Sequence, residues 1–208
     1  MTEPTESSHR IAGHRIAGLI LAAGESTRMG IDKALLMYRG RTFLQSIIAT
    51  LRDAGVERIV IVLGHHAAEI ERATNLANVE VLLNADYQRG QTSSLQTGLK
   101  ALAGQPVDGI VLSLVDHPAF RASTIAKLIV AFNASRAPVV VPTYQGQRGH
   151  PVLIGRALFD ELMGLAQDAG ANTVIRKYRE STQFVEVDDA GVLTDVDDPA
   201  AYRKLSRA

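Results

Sequence analysis

The chain has 208 residues, 46% of them hydrophobic and 21% charged, which suits one large globular domain and excludes disorder as its main state. Its 22 Lys and Arg balance its 22 Asp and Glu, so it has no net positive field to draw in nucleic acid or an anionic membrane. The absence of Cys excludes a disulfide scaffold, thiolate zinc sites and thiol catalysis.

Residues 1–15, with Pro4, Thr5, Ser7, Ser8 and Gly13, read as a loose tail, and residues 16–208 as a single domain. The pentapeptide His-Arg-Ile-Ala-Gly occurs at 9–13 and again at 14–18, far too short a repeat for a solenoid. The apolar stretch 16–23 runs straight into Gly24-Glu25-Ser26, so it falls short of the roughly 20 apolar residues of a membrane span. Arg10 and Arg15 before it and small residues behind it give only a superficial likeness to a secretory signal, and a cytoplasmic protein is expected.

From residue 16 onward, short apolar runs alternate with longer helical patterns. The runs are 16–21, 58–63, 79–83, 109–115, 138–142 and 183–187. Most are rich in Val, Ile and Leu at nearly every position, as strands covered on both faces must be. The helical stretches are 42–54, 67–73, 94–103, 123–134 and 156–165. Phe43, Leu44, Ile47, Ile48 and Leu51 follow the spacing of a helix with one buried face, and Gly55 stands where a left-handed cap is usual. This alternation predicts βαβ units and a mostly parallel sheet between layers of helices. In such sheets ligands bind beyond the carboxyl ends of the strands. The segments 22–33, 64–66, 84–94, 116–118 and 143–151 therefore hold the candidate site.

The most informative of these segments is Leu21-Ala22-Ala23-Gly24-Glu25-Ser26-Thr27-Arg28-Met29-Gly30-Ile31-Asp32-Lys33. Small residues at the end of a strand let a ligand approach the backbone, and successive N–H groups in such a turn make an anion-binding concavity. Arg28 and Lys33 add two positive charges, a combination suited to a polyphosphate. A Walker loop is excluded, because five residues separate Gly24 from Gly30 and Ile31 follows instead of Lys. The dinucleotide fingerprint Gly-x-Gly-x-x-Gly is missing too, which argues against an ordinary dehydrogenase.

The whole string resembles the Leu-Ala-Ala-Gly-x-Ser-x-Arg-Met-Gly-x-x-Lys signature of the MobA-like nucleotidyltransferases, with the molybdopterin cytidylyltransferase branch nearest. Four further blocks are similar to that family in order along the chain. They are Gly90 to Leu99, the aspartate block Leu114-Val115-Asp116-His117-Pro118, the segment Gly146 to Val152 containing Gly149-His150-Pro151-Val152, and Thr194 to Pro199. The resemblance implies a three-layer α/β/α Rossmann-like nucleotidyltransferase fold with a mostly parallel central sheet. It implies that Leu21, Ala22, Ala23 and Gly24 contact a nucleotide through their backbone, that Arg28 and Lys33 hold its triphosphate, and that Ser94 lies against base or ribose. Asp116 would ligate Mg²⁺, with Asp197 as the second carboxylate, and Arg28, Lys33 and Asp116 would be the catalytic set. Mg²⁺ suits such a site, being held by one or two carboxylates together with substrate phosphates. Helix capping stays open for Asp116 and for Asp197 and Asp198 before Pro199, and Asp195 remains an alternative metal ligand.

The implied reaction is attack by a phosphate oxygen of an acceptor on the α-phosphate of a nucleoside triphosphate, with release of pyrophosphate. Such a nucleophile is already ionised at neutral pH, so no general base is needed. The resemblance points to CTP, with Ala23 where the guanylyl branch tends to carry Gly. It points to molybdopterin as acceptor and to a molybdoenzyme as recipient of the product. A sugar phosphate acceptor and a non-catalytic cofactor-binding accessory protein are the alternatives. His117 stands where the family more usually has Gln, and with Arg148 and His150 it is a candidate for acceptor contact. Gly146 and Gly149 would let that loop close. His65 and His66, adjacent on a strand, would point opposite ways and form no metal pair. Tyr87, Gln88 and Arg89 could shape the pocket, but nothing fixes their direction.

Overall fold

In this computed structural model, residues 15–26 and 29–206 are described. The proposed tail therefore lies almost wholly outside the described residues. In chain order the elements are β1 (Ile16–Ala22), the small ribbon β2 (Met37–Tyr38) and β3 (Arg41–Thr42), α1 (Phe43–Asp53), β4 (Arg58–Leu63), α2 (Ala67–Ala73), β5 (Glu80–Leu83) and α3 (Gln91–Ala103). Then come β6 (Gly109–Leu114), α4 (Ala122–Ser135), β7 (Val139–Tyr144), β8 (Gln147–Arg148), β9 (Val152–Gly155), α5 (Phe159–Met163), α6 (Ala171–Lys177), β10 (Thr182–Glu186) and α7 (Pro199–Leu205).

The main sheet has the order β10-β7-β9-β6-β1-β4-β5, with β8 hydrogen-bonded to β7. β6, β1, β4 and β5 are parallel neighbours, and so are β7 and β10; β9 runs against both of its neighbours. This is the mostly parallel three-layer arrangement expected from the strand and helix alternation. Because its strands are covered on both sides, successive residues feed two separate cores. Ala17, Leu19 and Leu21 of β1 and Val60 and Val62 of β4 pack with Leu95, Leu99 and Leu102 of α3 and Phe159 and Leu162 of α5. On the other face Ile20, Ile59 and Ile61 meet Leu44, Ile47 and Leu51 of α1 and Ile125, Leu128 and Phe132 of α4.

Helix α1 starts where its chemistry dictates. Thr42 accepts from the Gln45 N–H and Gln45 returns the bond to the Thr42 N–H, a reciprocal capping box. Gly55 follows at φ 83°, as its left-handed cap requires. The helical stretch at 156–165 is shorter than expected: a 3-10 turn over Arg156–Leu158 passes into α5, which stops before Gly164. Elements not anticipated include β9, which lies between the segment 143–151 and the helical stretch 156–165, and α6, which has only Val174 fully buried, too little apolar face to give a periodic signal.

β1 is flanked by β4 on one side and β6 on the other, so the chain order reverses there. The carboxyl ends of β1 and β6 consequently frame a crevice, the usual ligand position in an open α/β sheet.

Candidate active site

Leu21 pairs with Leu114 across β1 and β6, which places the loops after both strands side by side. Between them lies a cleft of about 290 Å³. It is lined by Leu21, Ala23, Gly24, Ser26, Lys33, Tyr87, Gly90, Gln91, Ser94, Leu114, Val115, Asp116 and Asp197. Of the predicted nucleotide residues, Ala22 alone among those described has no place in the lining. Its side chain is buried in the opposite core, as the alternation along a strand demands. Arg28 lies outside the described residues.

The floor of the cleft is a three-residue ion network drawn from distant parts of the chain. Lys33 Nζ donates to Asp116 Oδ2 at 3.1 Å and to Asp197 Oδ1 at 2.6 Å. Three local structures place these groups. Asp32 caps the 3-10 turn Lys33–Leu35 by accepting from the Ala34 N–H, and the Lys33 N–H donates to Ser26 Oγ at 2.9 Å, folding the loop back on itself. Asp116 follows β6 and accepts through its carbonyl from the Val196 N–H, which ties the loop before α7 to the site. Asp198, not Asp197, caps α7 by accepting from the Ala200 and Ala201 N–H groups, leaving the Asp197 carboxylate to reach Lys33. Burial works against the Lys33 charge, yet the bonds to Asp197 and Asp116 hold its ammonium above its ordinary pKa.

Ser94 sits in the first turn of α3, and Asn84 clamps that turn by donating to both Ser93 Oγ and Ser94 Oγ at 2.9 and 3.0 Å. Tyr87 does face the cleft. Its hydroxyl lies 3.2 Å from His65 Nδ1. His65 and His66 do not point opposite ways: their ring centroids are 3.8 Å apart. The reason is the left-handed backbone of His66, φ 53°, which ends the strand and turns the second ring onto the first.

The loop thought to close through Gly146 and Gly149 is built otherwise. Gln145 and Gly146, both at positive φ, make the two-residue turn of a β7–β8 hairpin. Gly149 is pinned by its N–H to Pro142, and a Cβ there would meet Val192 O at 2.5 Å, so it serves close packing instead of movement. His150 stacks on His117 with ring centroids 4.7 Å apart. Burial, with the neighbouring His117, lowers its pKa to about 4, so it is a neutral imidazole at physiological pH.

Arg148 and His150 line a second cavity of about 460 Å³, which shares Gln91 and Leu114 with the first. Its wall is apolar through Leu112, Val141, Val152, Ile175 and Phe184, and cationic through Arg148, Arg176 and Arg179. The Arg148 guanidinium lies 4.7 Å over the Phe184 ring. Arg176, Arg179 and Phe184 carried no motif, and only the fold brings them to the sheet edge.

Comparison with known proteins accords with this geometry. The profile of the MobA-like NTP transferase domain matches residues 18–182. The chain belongs to that family. Nicotine blue oxidoreductase of Paenarthrobacter nicotinovorans is 30% identical over 194 residues, covering 88% of this chain and 92% of that protein. Molybdenum cofactor cytidylyltransferase of Escherichia coli (strain K12) is 26% identical over 183 residues, covering 87% and 90%. Among solved structures, Rv0371c of Mycobacterium tuberculosis H37Rv in complex with manganese is 31% identical, with a TM-score of 0.80 over 93% of this chain and 99% of that one.

Proposed function

We propose that this member of the MobA-like family is a divalent-cation-dependent cytidylyltransferase that moves CMP from CTP onto molybdopterin and releases pyrophosphate. The observation that carries this reading is the Lys33 ammonium held between Asp116 and Asp197 on the floor of the cleft. The E. coli relative's name and Ala23 lend CTP its support. The manganese complex of Rv0371c and the buried, unpartnered Asp116 Oδ1 support a divalent cation, and Mg²⁺ suits an all-oxygen set of Asp116 and Asp197. When bound, such a cation would neutralise charge on the triphosphate.

Everything else falls to the chain. The backbone from Leu21 to Gly24 receives the nucleotide, Ser94 supports base or ribose, and Arg28 and Lys33 hold the triphosphate. Lys33 is then well placed to leave its carboxylates for phosphate oxygens. The acceptor occupies the second cavity, where Arg148, Arg176 and Arg179 attract its anionic group and the apolar wall takes its body. His150 lines the acceptor cavity, and His117 stacks on it beside Asp116. The acceptor's phosphate oxygen forms the new bond to the α-phosphorus, and the bond to pyrophosphate breaks. Positioning and charge neutralisation supply the rate. A cytoplasmic setting and a molybdoenzyme recipient go with this reading.

The test is pyrophosphate release with Mg²⁺, each of the four nucleoside triphosphates, and molybdenum-loaded pterin. Release with CTP alone is expected. Binding of CTP without release would move the acceptor to another phosphorylated compound, such as a sugar phosphate, or leave a non-catalytic accessory protein. The likeness to nicotine blue oxidoreductase supports a second reading, in which the same two cavities serve an oxidoreductase. Turnover of nicotine blue with an added electron donor, and no triphosphate bound, would replace the first reading by the second.

A further inference from the structure

The two carboxylate oxygens of Asp116 have different company. Oδ2 accepts from Lys33, whereas Oδ1 is buried without a hydrogen-bond partner. Facing Oδ1 at 4.0 Å is Nε2 of His117, a residue only 9% exposed. A carboxylate oxygen of Asp195 completes a group whose three donor atoms lie within 4.8 Å of one another. These separations are too long for hydrogen bonds. They resemble the spacing of donors around a shared ion, where ligand bonds of about 2.1 Å put donor atoms roughly 3 to 4 Å apart.

We propose that Asp116, His117 and Asp195 bind a divalent transition-metal ion in the nucleotide-free protein, at a position separate from the Lys33-bridged pair of Asp116 and Asp197. Buried polar atoms normally find partners, and a cation would satisfy the Asp116 oxygen. The imidazole decides the metal class. Mg²⁺ prefers oxygen donors, whereas imidazole suits later first-row ions such as Co²⁺, Ni²⁺ and Zn²⁺, with carboxylates accepting Mn²⁺ as well. The site joins the loop after β6 to the loop before α7, between the two cavities, and needs neither nucleotide nor acceptor to form.

The experiment is an electron paramagnetic resonance titration of tag-free, nucleotide-free protein with Mn²⁺ alone, with electron spin echo modulation to detect a coordinated ¹⁴N. One bound Mn²⁺ with ¹⁴N coupling is expected in the wild type. His117→Gln should remove the coupling, and Asp195→Asn should weaken binding by about tenfold or more, the scale for losing one supporting group of a metal site. Asp197→Asn should keep both binding and coupling, and matched thermal unfolding of each variant excludes misfolding. No binding in the wild type, coupling that survives His117→Gln, or dependence on Asp197 instead of Asp195 would overturn the proposal. Because no nucleotide is present, each of these outcomes is independent of the nucleotidyl-transfer reading.

Discussion

Lys33 joins two carboxylates from distant parts of the chain. Its side chain is 13% exposed against 24% for Asp116 and 52% for Asp197, so the Asp116 bond is the better shielded of the two. Lys33→Met should cut kcat on the order of 10²-fold, the scale for losing one preorganised charge-stabilising group. It should also cost about 1–2 kcal/mol of stability, since charge-assisted bonds are lost but the Asp197 end is open to water. The pH dependence has a defined sign. A raised ammonium pKa means that the folded state holds this proton more tightly, so the contribution is complete below the ordinary value of 10.5 and is lost as pH rises through the folded value. The gap in Tm between wild type and Lys33→Met should be level through the neutral range and close in strongly alkaline solution. Asp32 also loses stability as pH rises, but because its charged form is the one that folding disfavours. Burial raises its carboxyl pKa, and its Oδ2 has no hydrogen-bond partner, with His66 Nδ1 3.9 Å away. Its ionisation therefore opposes folding as pH rises. Asp32→Asn keeps the cap to Ala34 and should have a Tm at neutral pH no lower than wild type, the difference fading as pH falls. Asp32→Ala, which loses the cap, should be less stable by about 1 kcal/mol. Thermal unfolding at several pH values checks both. At this scale the sequence pattern singles out Lys33 and Asp116, because each follows a strand among small or apolar residues. The partnership of Lys33 with Asp197, 164 positions away, is a product of topology and carries no local signal.

Helix α3 carries the cleft wall at its first turn and a packing constraint at its middle. An ideal Cβ on Gly98 would meet Leu19 Cδ1 at 2.4 Å and Cδ2 at 2.9 Å, and Leu19 is wholly buried in β1. Gly98→Ala gains about 1 kcal/mol of helix propensity, but overpacking a filled core costs about 1–3 kcal/mol. A net loss of stability is expected, together with a higher KM for the triphosphate, as α3 moves outward with Ser94 and Gln91. If unfolding showed Gly98→Ala to be stabilised, the close approach of α3 to β1 would be wrong. Legibility differs among elements for physical reasons. β4 and α2 coincide with the sequence expectation: an unbroken apolar run marks the one, and left-handed His66 and extended Thr74 bound the other in the structure. α3 begins earlier, at Gln91, because Gly90 and the Asn84 clamp on Ser93 and Ser94 organise its polar first turn. β9 is not legible because three apolar residues after a Gly-rich segment cannot by themselves be told from a loop or a helix end.

Across the molecule, the reversed strand β9 explains why two cavities share one sheet edge. Every parallel strand offers its carboxyl end to that edge, whereas β9 offers its beginning, so His150 and Val152 arrive beside Leu112 and Val141. The cleft on the β1 side is built largely from loops with recognisable motifs, and most of it can be read from sequence. The cavity on the far side of β6 is assembled from β6, β7, β9, α6 and β10, elements whose contributing residues are individually ordinary. Arg176 and Arg179 illustrate this: isolated exposed arginines are unremarkable until the fold aims them at a cavity that, among the described residues, has no carboxylate in its lining. Their separation from Lys33 and Asp116 yields a prediction about the whole enzyme. Replacing both by Ala should raise KM for the anionic acceptor by about tenfold, because two exposed charges near one anion are each worth about 0.5–1 kcal/mol after screening. KM for the triphosphate should stay within about twofold, and the salt dependence of acceptor KM should flatten, since the screened attraction has been removed. Steady-state kinetics with each substrate varied in turn at two ionic strengths checks this. An equal loss for both substrates would mean that the cavities act as one site. An unchanged acceptor KM would place the acceptor away from α6.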